Sequence, residues 1–237
     1  MILAAGMGTR LKPFTDKHPK ALASVNGKTL LERNIMYLNK YGVEEIVINV
    51  HHFSNQVTDF LTSNKNFGIN IKISDESNEV LETGGGLKKA GKFFTDESTP
   101  FILMNVDVLT DLDLEDMLDF HNGSKAFVTL AVTQRNTSRY FLFDDVDRLC
   151  GWKNIKTHEQ KISRSAQEFF PKAFSGIHII SPEIFSELNI EGKFSIVDVY
   201  LSLADTKKIL GYDHTHTKFI DVGKPGSIAI AEKMFRR

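Results

Sequence analysis

Short apolar stretches that alternate with segments of helical periodicity constrain the fold of this chain more than any other feature of its sequence. The stretches are typical of buried strands, and between them apolar residues return at the three- and four-residue spacing of a helix. Strands that alternate with helices form βαβ units with parallel strands and right-handed crossovers. The sequence therefore predicts a doubly wound α/β fold with a mainly parallel sheet. The predicted strands of the first half are 2–5, 45–50, 69–74, 101–108 and 126–133, and the predicted helices lie around 30–38, 57–61, 87–94 and 113–121.

The second half of the chain departs from this alternation. No internal repeat or low-complexity linker separates it from the first half, so we expect a single domain over 1–237. Its turn residues and apolar runs predict shorter, partly antiparallel elements. We predict a hairpin over 140–152 with its turn near 145–147, an irregular loop over 153–172, a strand over 173–180, an antiparallel pair formed by 209–214 and 218–223, and a short helix from Pro225.

The balance of charge argues against a broad surface for nucleic acid, because 29 basic residues face 30 acidic ones. The apolar runs are far shorter than a membrane span, and the N-terminus lacks the regions of a signal peptide. Cys150 is the only cysteine, which excludes an internal disulfide and fits a reducing compartment. We therefore expect a cytoplasmic protein that binds anions at a local site, with no nucleic-acid, membrane or protein partner.

The stretch LAAGMGTRLKPFTDKHPKAL, residues 3–22, joins a short apolar run to two glycines and several cations. Gly6 and Gly8 permit backbone conformations with positive φ, and they let amides approach an anion without a Cβ atom in the way. Arg10 and Lys20 supply charge that would neutralise the anion. The spacing matches neither the Walker loop nor the dinucleotide-binding pattern. A tight turn between a strand and a helix would account for the two glycines alone equally well.

A glycine run and two aspartates are further candidates for a site. The run 84–86 fits either a sharp turn with close packing or a backbone edge for a flat base. Asp107 closes a strongly apolar strand, where a carboxylate is costly unless it is paired or bound to a metal. Asp221 has the same placement after a later strand. Either aspartate could instead be a turn or cap residue, and Asp111 is expected to cap the helix that follows it.

Two pairs of histidines invite comparison with metal sites. Neither pair has a third ligand at a suitable spacing, whereas zinc sites need three or four ligands. We therefore expect no metal at either pair. These residues are His51, His52, His214 and His216.

The opening stretch resembles the signature of the sugar-1-phosphate nucleotidyltransferases, roughly L-A-A-G-x-G-T-R-x-x-P-x-T…P-K-x-L. Twelve positions in twenty residues agree with that signature. The resemblance extends from residue 1 to about residue 230, and it implies a Rossmann-like three-layer α/β/α sandwich with a mixed, mostly parallel sheet. It also implies a nucleotide-binding half at about 1–125 and a sugar-phosphate-binding half at about 126–237. The matching residues are Leu3, Ala4, Ala5, Gly6, Gly8, Thr9, Arg10, Pro13, Thr15, Pro19, Lys20 and Leu22.

Carried over residue by residue, the resemblance implies roles for each part of the site. Arg10 would meet the departing pyrophosphate and Lys20 the reacting phosphates, while Asp107 and Asp221 would hold Mg²⁺. The nucleotide would be bound by Leu3, Ala5, Gly6, Gly8, Thr9, Arg10, Thr83, Gly84 and Gly85. The sugar would be bound by Glu82, Ser175, Gly176 and Asp198.

The implied reaction joins a nucleoside triphosphate and a sugar-1-phosphate to give a nucleotide sugar and pyrophosphate. The sequence ETGGG, with Glu82 where relatives have glycine, looks most like the N-acetylmuramate-1-phosphate uridylyltransferases of cell-wall recycling. Mannose-1-phosphate guanylyltransferases share the scaffold and remain an alternative. So do a cytidylyltransferase that acts on an alcohol phosphate and a non-catalytic nucleotide-sugar sensor. No hexapeptide repeat follows, so we expect no acetyltransferase activity.

Overall fold

A ten-stranded mixed sheet runs through the computed structural model of the chain, which describes residues 1–96 and 98–236. Eight strands follow one another in the order β11-β10-β9-β12-β6-β1-β4-β5, and β8 and β13 extend the sheet from β12. Two small two-stranded sheets, β7 with β14 and β2 with β3, lie outside it. The strands are β1 Ile2–Leu3, β2 Ser24–Val25, β3 Lys28–Thr29, β4 Glu45–Val50, β5 Asn70–Asp75, β6 Phe101–Asn105, β7 Val108–Thr110, β8 Val128–Thr133, β9 Arg139–Phe143, β10 Leu149–Asn154, β11 Glu159–Ile162, β12 Phe170–Ile180, β13 Ile209–Asp213 and β14 Phe219–Asp221. The helices are α1 Leu30–Lys40, α2 Ser54–Ser63, α3 Glu82–Ala90, α4 Leu114–Ser124, α5 Ile184–Glu187, α6 Ile196–Leu203 and α7 Pro225–Met234.

Strand direction divides the sheet into two regions. β6, β1, β4 and β5 are parallel, and β13 is parallel to β8. β12 runs antiparallel to β6, β8 and β9, and it leads into the antiparallel strands β9, β10 and β11. Because parallel strands direct their carboxyl ends to one edge, the loops after β1, β4 and β6 meet there.

Alternating side chains of the central strands build a core on each face of the sheet. Ile46 and Ile48 pack on one face with α1, α2 and α4, whereas Val47 packs on the other face with α3, α5 and α6. A third, smaller cluster lies between α7 and the segment that follows the first strand. The three layers confirm the predicted fold class. No helix in the described ranges is long and apolar enough to cross a membrane.

Side-chain caps mark the N-termini of two predicted helices. The Thr29 hydroxyl accepts a hydrogen bond from Glu32 N at 3.0 Å at the start of α1. Helix α4 is capped by Asp113, whose carboxylate accepts from Glu115 N at 2.9 Å. The prediction that Asp111 caps this helix is wrong, because its carboxylate accepts a hydrogen bond from Lys218 N at 2.7 Å instead.

Three predicted segments are corrected by the structure. The predicted loop 153–172 contains the end of β10, all of β11 and the start of β12. Its strands escaped prediction because β11 is an edge strand whose four side chains are all exposed, so no apolar alternation marks it. The predicted pair 209–214 and 218–223 does not form, because β13 joins β8 and β14 joins β7. The apolar run 101–108 is broken into β6 and β7 by a turn that contains Asp107.

Three buried histidines are expected to make the fold sensitive to acid. Burial lowers the pKa of His121 and His214 to about 4 and that of His178 to about 3. Each ring nitrogen Nδ1 lies within 2.9 Å of a neighbouring hydroxyl oxygen. In the unfolded chain these histidines take up protons near pH 6.5, so stability is lost as the pH falls below that value.

We predict a loss of roughly 2 kcal/mol of unfolding free energy for each buried histidine between pH 8 and pH 5. Urea unfolding at several pH values measures it. The variant His121→Gln should lose less stability with acid than the wild type, while the exposed control His216→Gln should follow the wild type. A wild-type stability that does not change between pH 8 and pH 5 would contradict this expectation.

Candidate active site

The loop after β1 holds its glycines in the conformation that the sequence suggests. Gly8 has φ of +61°, in the left-handed region, and a Cβ atom there would lie 2.9 Å from Thr15 Cγ2 and 3.0 Å from Lys20 Cβ. The Thr15 hydroxyl donates to Gly8 O at 3.0 Å. Glycine at this position therefore lets the loop pack directly against the stem of Lys20.

Three consecutive amides of the loop remain open. Within the described part of the chain, the backbone N–H groups of Gly6, Met7 and Gly8 donate to no protein acceptor. Gly6 and Met7 are exposed, so their N–H groups can reach a ligand. Successive free amides in a glycine loop form an anion-binding concavity.

Asn49 and Glu76 anchor the base of the loop, and sequence reasoning did not identify either residue. The Asn49 side-chain oxygen accepts from Ala4 N at 2.7 Å and from Ala5 N at 3.3 Å. Its amide nitrogen donates to Glu76 Oε1 at 2.8 Å, and both side chains are buried. Burial raises the pKa of the Glu76 carboxyl, while the bond from Asn49 opposes that rise. An asparagine inside the apolar strand EIVINV was the available signal, since a buried polar group requires a partner.

Four predicted residues from distant parts of the chain meet beside the loop. The Lys20 ammonium contacts the Asp107 carboxylate, and both side chains are largely buried, at 12% and 13% exposure. Arg10 Nη2 lies 3.9 Å from Asp221 Oδ2. The Asp107 carbonyl accepts from Val222 N at 2.8 Å, which fixes the end of β14 beside the turn after β6. The structure thus brings two cations and two carboxylates to one place.

The Asp107 carboxylate disfavours the charged form of Asp221. Burial and then the negative charge of Asp107 raise the pKa of the Asp221 carboxyl, while Lys20 and Arg10 oppose the rise. A pair of adjacent carboxylates is electrostatically costly unless a cation lies between or beside them. This arrangement fits a divalent cation, because Mg²⁺ is commonly held by one or two carboxylates together with substrate phosphates.

A cavity of about 470 Å³ opens above this cluster, and we call it the first cavity. Lys20, Asp107, Glu82 and Thr83 all line it. Of the predicted nucleotide-binding residues, Leu3, Ala5, Gly6 and Thr83 line this cavity. Gly8, Thr9 and Arg10 lie further along the loop, outside its wall.

Glu82 has φ of +59°, a value that non-glycine residues rarely adopt. Its carboxylate lies 3.4 Å from Lys193 Nζ. Glycine, which the family resemblance leads one to expect at this position, would adopt this left-handed conformation without a Cβ penalty. Strained residues of this kind concentrate at functional sites.

Close packing accounts for the glycine run. Helix α3 begins at Glu82, earlier than predicted, and so contains all three glycines. A Cβ atom at Gly84 would lie 2.4 Å from the Phe194 ring, and one at Gly85 would lie 2.3 Å from Gly192 O. The amides of Gly84 and Gly85 donate to Phe194 O at 2.9 and 3.2 Å. These two amides are therefore committed to the protein and do not face the first cavity.

We predict that Gly84→Ala destabilises the protein by about 1–3 kcal/mol, because the added methyl overpacks against Phe194. Gly123→Ala in α4 is the matched control, since its added Cβ meets no atom within 4 Å. The control should stabilise the protein by about 0.4–1 kcal/mol. Thermal and urea unfolding measure both variants, and equal effects of the two substitutions would contradict the role of close packing.

The remaining predicted sugar residues are separated by the structure. Ser175 is buried, and its Oγ lies 2.8 Å from His214 Nε2. Gly176 has φ of +74° beside Asn105, at an irregularity in β12. Neither residue lines the first cavity or the adjoining cavity described next. Asp198 does line a neighbouring cavity of about 420 Å³, which we call the second cavity, together with Trp152.

A family model confirms the resemblance that the opening stretch suggests. The model of the nucleotidyl transferase family matches residues 1–233. The chain belongs to this family. This confirms the prediction that the chain is a nucleotidyl transferase, and thus a member of a family of enzymes.

The named relatives include both uridylyltransferases and a guanyltransferase. The nucleotidyl transferase is 31% identical to N-acetylmuramate alpha-1-phosphate uridylyltransferase of Caulobacter vibrioides, over 89% of this chain and 86% of the relative. It is 27% identical to UTP–glucose-1-phosphate uridylyltransferase of Synechocystis sp. over 94% of this chain. It is 28% identical to mannose-1-phosphate guanyltransferase beta-A of Xenopus laevis over 95% of this chain. The chain spans 60% of the Synechocystis relative and 61% of the Xenopus relative.

Solved structures agree on the fold. HddC from Yersinia pseudotuberculosis in complex with GMP-PN is 23% identical, with a TM-score of 0.78 over 99% of this chain and 98% of that one. A glucose-1-phosphate thymidylyltransferase from Bacillus anthracis, described as putative, is 16% identical with a TM-score of 0.82, over 99% of this chain and 94% of that one. At these identities the likeness shows the nucleotidyl transferase fold alone.

Proposed function

We propose that this chain condenses UTP with N-acetylmuramate-1-phosphate to give a nucleotide sugar and pyrophosphate. The meeting of Arg10, Lys20, Asp107 and Asp221 beside the open amides of the glycine loop is the observation that carries the proposal. The Caulobacter relative, which the chain covers over most of its length, supports the choice of substrates.

The reaction needs no protein nucleophile. The phosphate oxygen of the sugar-1-phosphate is already an anion, and it attacks the α-phosphorus of the triphosphate in line while pyrophosphate departs. The main obstacle is repulsion between two highly charged substrates, so positioning and charge neutralisation supply the catalysis.

The residues of the cluster divide this work. Lys20, held in place by Asp107, faces the first cavity as a compact positive charge for the reacting phosphates. Arg10 lies on the exposed outer side of the loop, where a guanidinium can grip the departing pyrophosphate through two hydrogen bonds. The open amides of Gly6, Met7 and Gly8 bind phosphate oxygens between them.

Asp107 and Asp221 would hold Mg²⁺, which fits two adjacent carboxylates that repel each other without a cation. When bound, Mg²⁺ would supply Lewis-acid neutralisation of phosphate oxygens. The protein's own part is to keep the two carboxylates at a fixed separation through the bond between Asp107 O and Val222 N.

Glu82 and Thr83 line the first cavity, where Thr83 would meet the nucleotide and Glu82 the sugar. The Thr83 hydroxyl accepts from Ile196 N at 3.0 Å, which ties this wall to the start of α6. Asp198 lines the second cavity, where it would meet the sugar.

Pyrophosphate release tests the proposal. UTP, GTP, CTP and dTTP are each combined with N-acetylmuramate-1-phosphate, glucose-1-phosphate, mannose-1-phosphate and phosphocholine in the presence of Mg²⁺. Preference for UTP with N-acetylmuramate-1-phosphate is the expected result. Preference for GTP with mannose-1-phosphate would keep the mechanism and overturn the substrates, and release only with CTP and phosphocholine would overturn the sugar class. Nucleotide binding without any release would overturn catalysis and favour a sensor.

A further inference from the structure

The two cavities adjoin, and two residues, Arg139 and Ser195, line both of them. The first cavity is lined by Lys20 and Asp107, which contact each other and belong to the proposed reacting centre. The second cavity is walled by the aromatic side chains of Tyr140 and Trp152 among others, surfaces on which a sugar ring can pack. Arg139 and Ser195 therefore mark the junction of the two cavities.

The cationic side chains that line the two cavities differ in their interaction partners within the protein. Lys20 contacts Asp107, and Lys161 lies 3.2 Å from Asp198 and 4.0 Å from Glu159. The Arg135 guanidinium donates to Phe174 O at 2.8 Å and stacks over a phenylalanine ring. These positive charges therefore have partners in the protein.

Arg139 is different. Across residues 1–96 and 98–236, its guanidinium makes no hydrogen bond, ion pair or ring contact, and the side chain is exposed. Its backbone N–H donates to the Thr137 hydroxyl at 3.5 Å, and its backbone pairs with Asn154 of β10. β9 begins at Arg139 and pairs with both β10 and β12. The unpaired guanidinium is therefore attached to a strand that is hydrogen-bonded within the sheet. A free guanidinium at a junction between two cavities is suited to a bidentate grip on an anion.

The chemistry of the acceptor says which anion reaches the junction. In a sugar-1-phosphate the phosphate is the group that links the sugar to the reacting centre, so it lies where the two cavities meet. We infer that Arg139 is a substrate-binding residue that holds the phosphate of the sugar-1-phosphate and orients it toward the triphosphate. This inference rests on the proposed function and adds to it a determinant of acceptor affinity. A carboxylate borne on the sugar is a second anion that could pair with the same guanidinium, and the test separates the two.

Steady-state kinetics of Arg139→Gln and Arg139→Lys test the inference, with Lys156→Gln as control. Lys156 is an exposed cation next to β10 that lines neither cavity, so its loss reports on long-range charge alone. For Arg139→Gln we expect the KM for sugar-1-phosphate to rise about 10–100-fold, because a charge-assisted contact is lost. The KM for the nucleotide should stay within about twofold. Arg139→Lys should recover part of the loss, and the control should match the wild type.

The acceptors distinguish the two anions. An equal rise in KM with mannose-1-phosphate, which has no carboxylate, and with N-acetylmuramate-1-phosphate supports the phosphate. A rise confined to the carboxylate-bearing acceptor would overturn the assignment to the phosphate, and an unchanged KM for both would overturn the role of Arg139 altogether. Calorimetric binding of the same sugar-1-phosphates in the presence of a non-hydrolysable nucleotide analogue gives a readout independent of turnover. A wild type that neither binds nor turns over any acceptor would overturn the proposed function itself, whereas an active wild type with an indifferent Arg139→Gln overturns only this inference. Thermal unfolding shows that the variant is folded.

Discussion

Replacing Lys20 by alanine is expected to lower kcat by about 10²–10³-fold, because the variant removes a largely buried positive charge from the proposed site of the reacting phosphates. The Lys20 side chain lines the first cavity, contacts Asp107 and is only 12% exposed, so little water is available to screen its charge. Its removal also leaves Asp107 and Asp221 without one of their two neighbouring cations. The largest loss is therefore expected in kcat rather than in the KM of either substrate. Pyrophosphate release at saturating nucleotide and acceptor measures it.

Lys17→Ala is the matched control for this prediction, because Lys17 is an exposed lysine three residues earlier. It should retain activity within about twofold of the wild type, in keeping with the small effects of exposed charges. Lys20→Arg should fall between the two, since the guanidinium keeps the charge but does not fit the compact site. Equal kcat values for Lys20→Ala and Lys17→Ala would show that Lys20 takes no part in the reaction.

Replacing Asp221 by asparagine is expected to lower activity by about 10²-fold or more, through the loss of a proposed Mg²⁺ ligand. The concentration of Mg²⁺ needed for half-maximal activity should rise, because one carboxylate remains where two were present. Thermal stability without metal should increase, because the substitution removes the repulsion between Asp221 and Asp107. Activity and stability are thus expected to move in opposite directions, as is common for strained sites.

Asp145→Asn is the control for this second prediction. Asp145 lies in the exposed turn between β9 and β10, far from the cluster in sequence. Its substitution should change neither the Mg²⁺ dependence nor the activity beyond about twofold. Loss of stability in Asp221→Asn together with an unchanged Mg²⁺ dependence would indicate a structural role and would remove Asp221 from the proposed metal site.

The sequence predicted best where a pattern is local. The apolar periodicity of 30–38 and the strand EIVINV at 45–50 led to α1 and β4 because burial of one helix face or both sheet faces leaves a regular trace. The glycine loop and the two aspartates were identifiable because glycines and carboxylates at the ends of apolar strands are costly to the fold unless a turn, a partner or a ligand requires them. The glycine loop and the two aspartates come together only through the order of strands in the sheet. The alternation of strands and helices predicts that order only in outline.

The features that sequence patterns did not predict depend on contacts between segments that are distant in the chain. β11 shows no alternation because all its side chains face solvent, and β13 is placed by pairing with β8 about 80 residues earlier, as Tyr212 beside Ala131 illustrates. The close packing of Gly84 against Phe194 was an open alternative that only the position of Phe194 could decide. Arg139 carries no motif, and its importance emerges only from the absence of a partner at a junction of two cavities within the described ranges.

The bond from Val222 N to Asp107 O has a consequence for how the protein is made. A ribosome delivers the glycine loop first and Asp221 more than two hundred residues later, so the cluster has its second carboxylate only when most of the chain has emerged. Fragments that end before that point would contain the loop, Lys20 and Asp107 and yet would lack a finished site. Interrupted synthesis should therefore release products that contain the proposed phosphate-binding loop but lack one carboxylate of the proposed metal site.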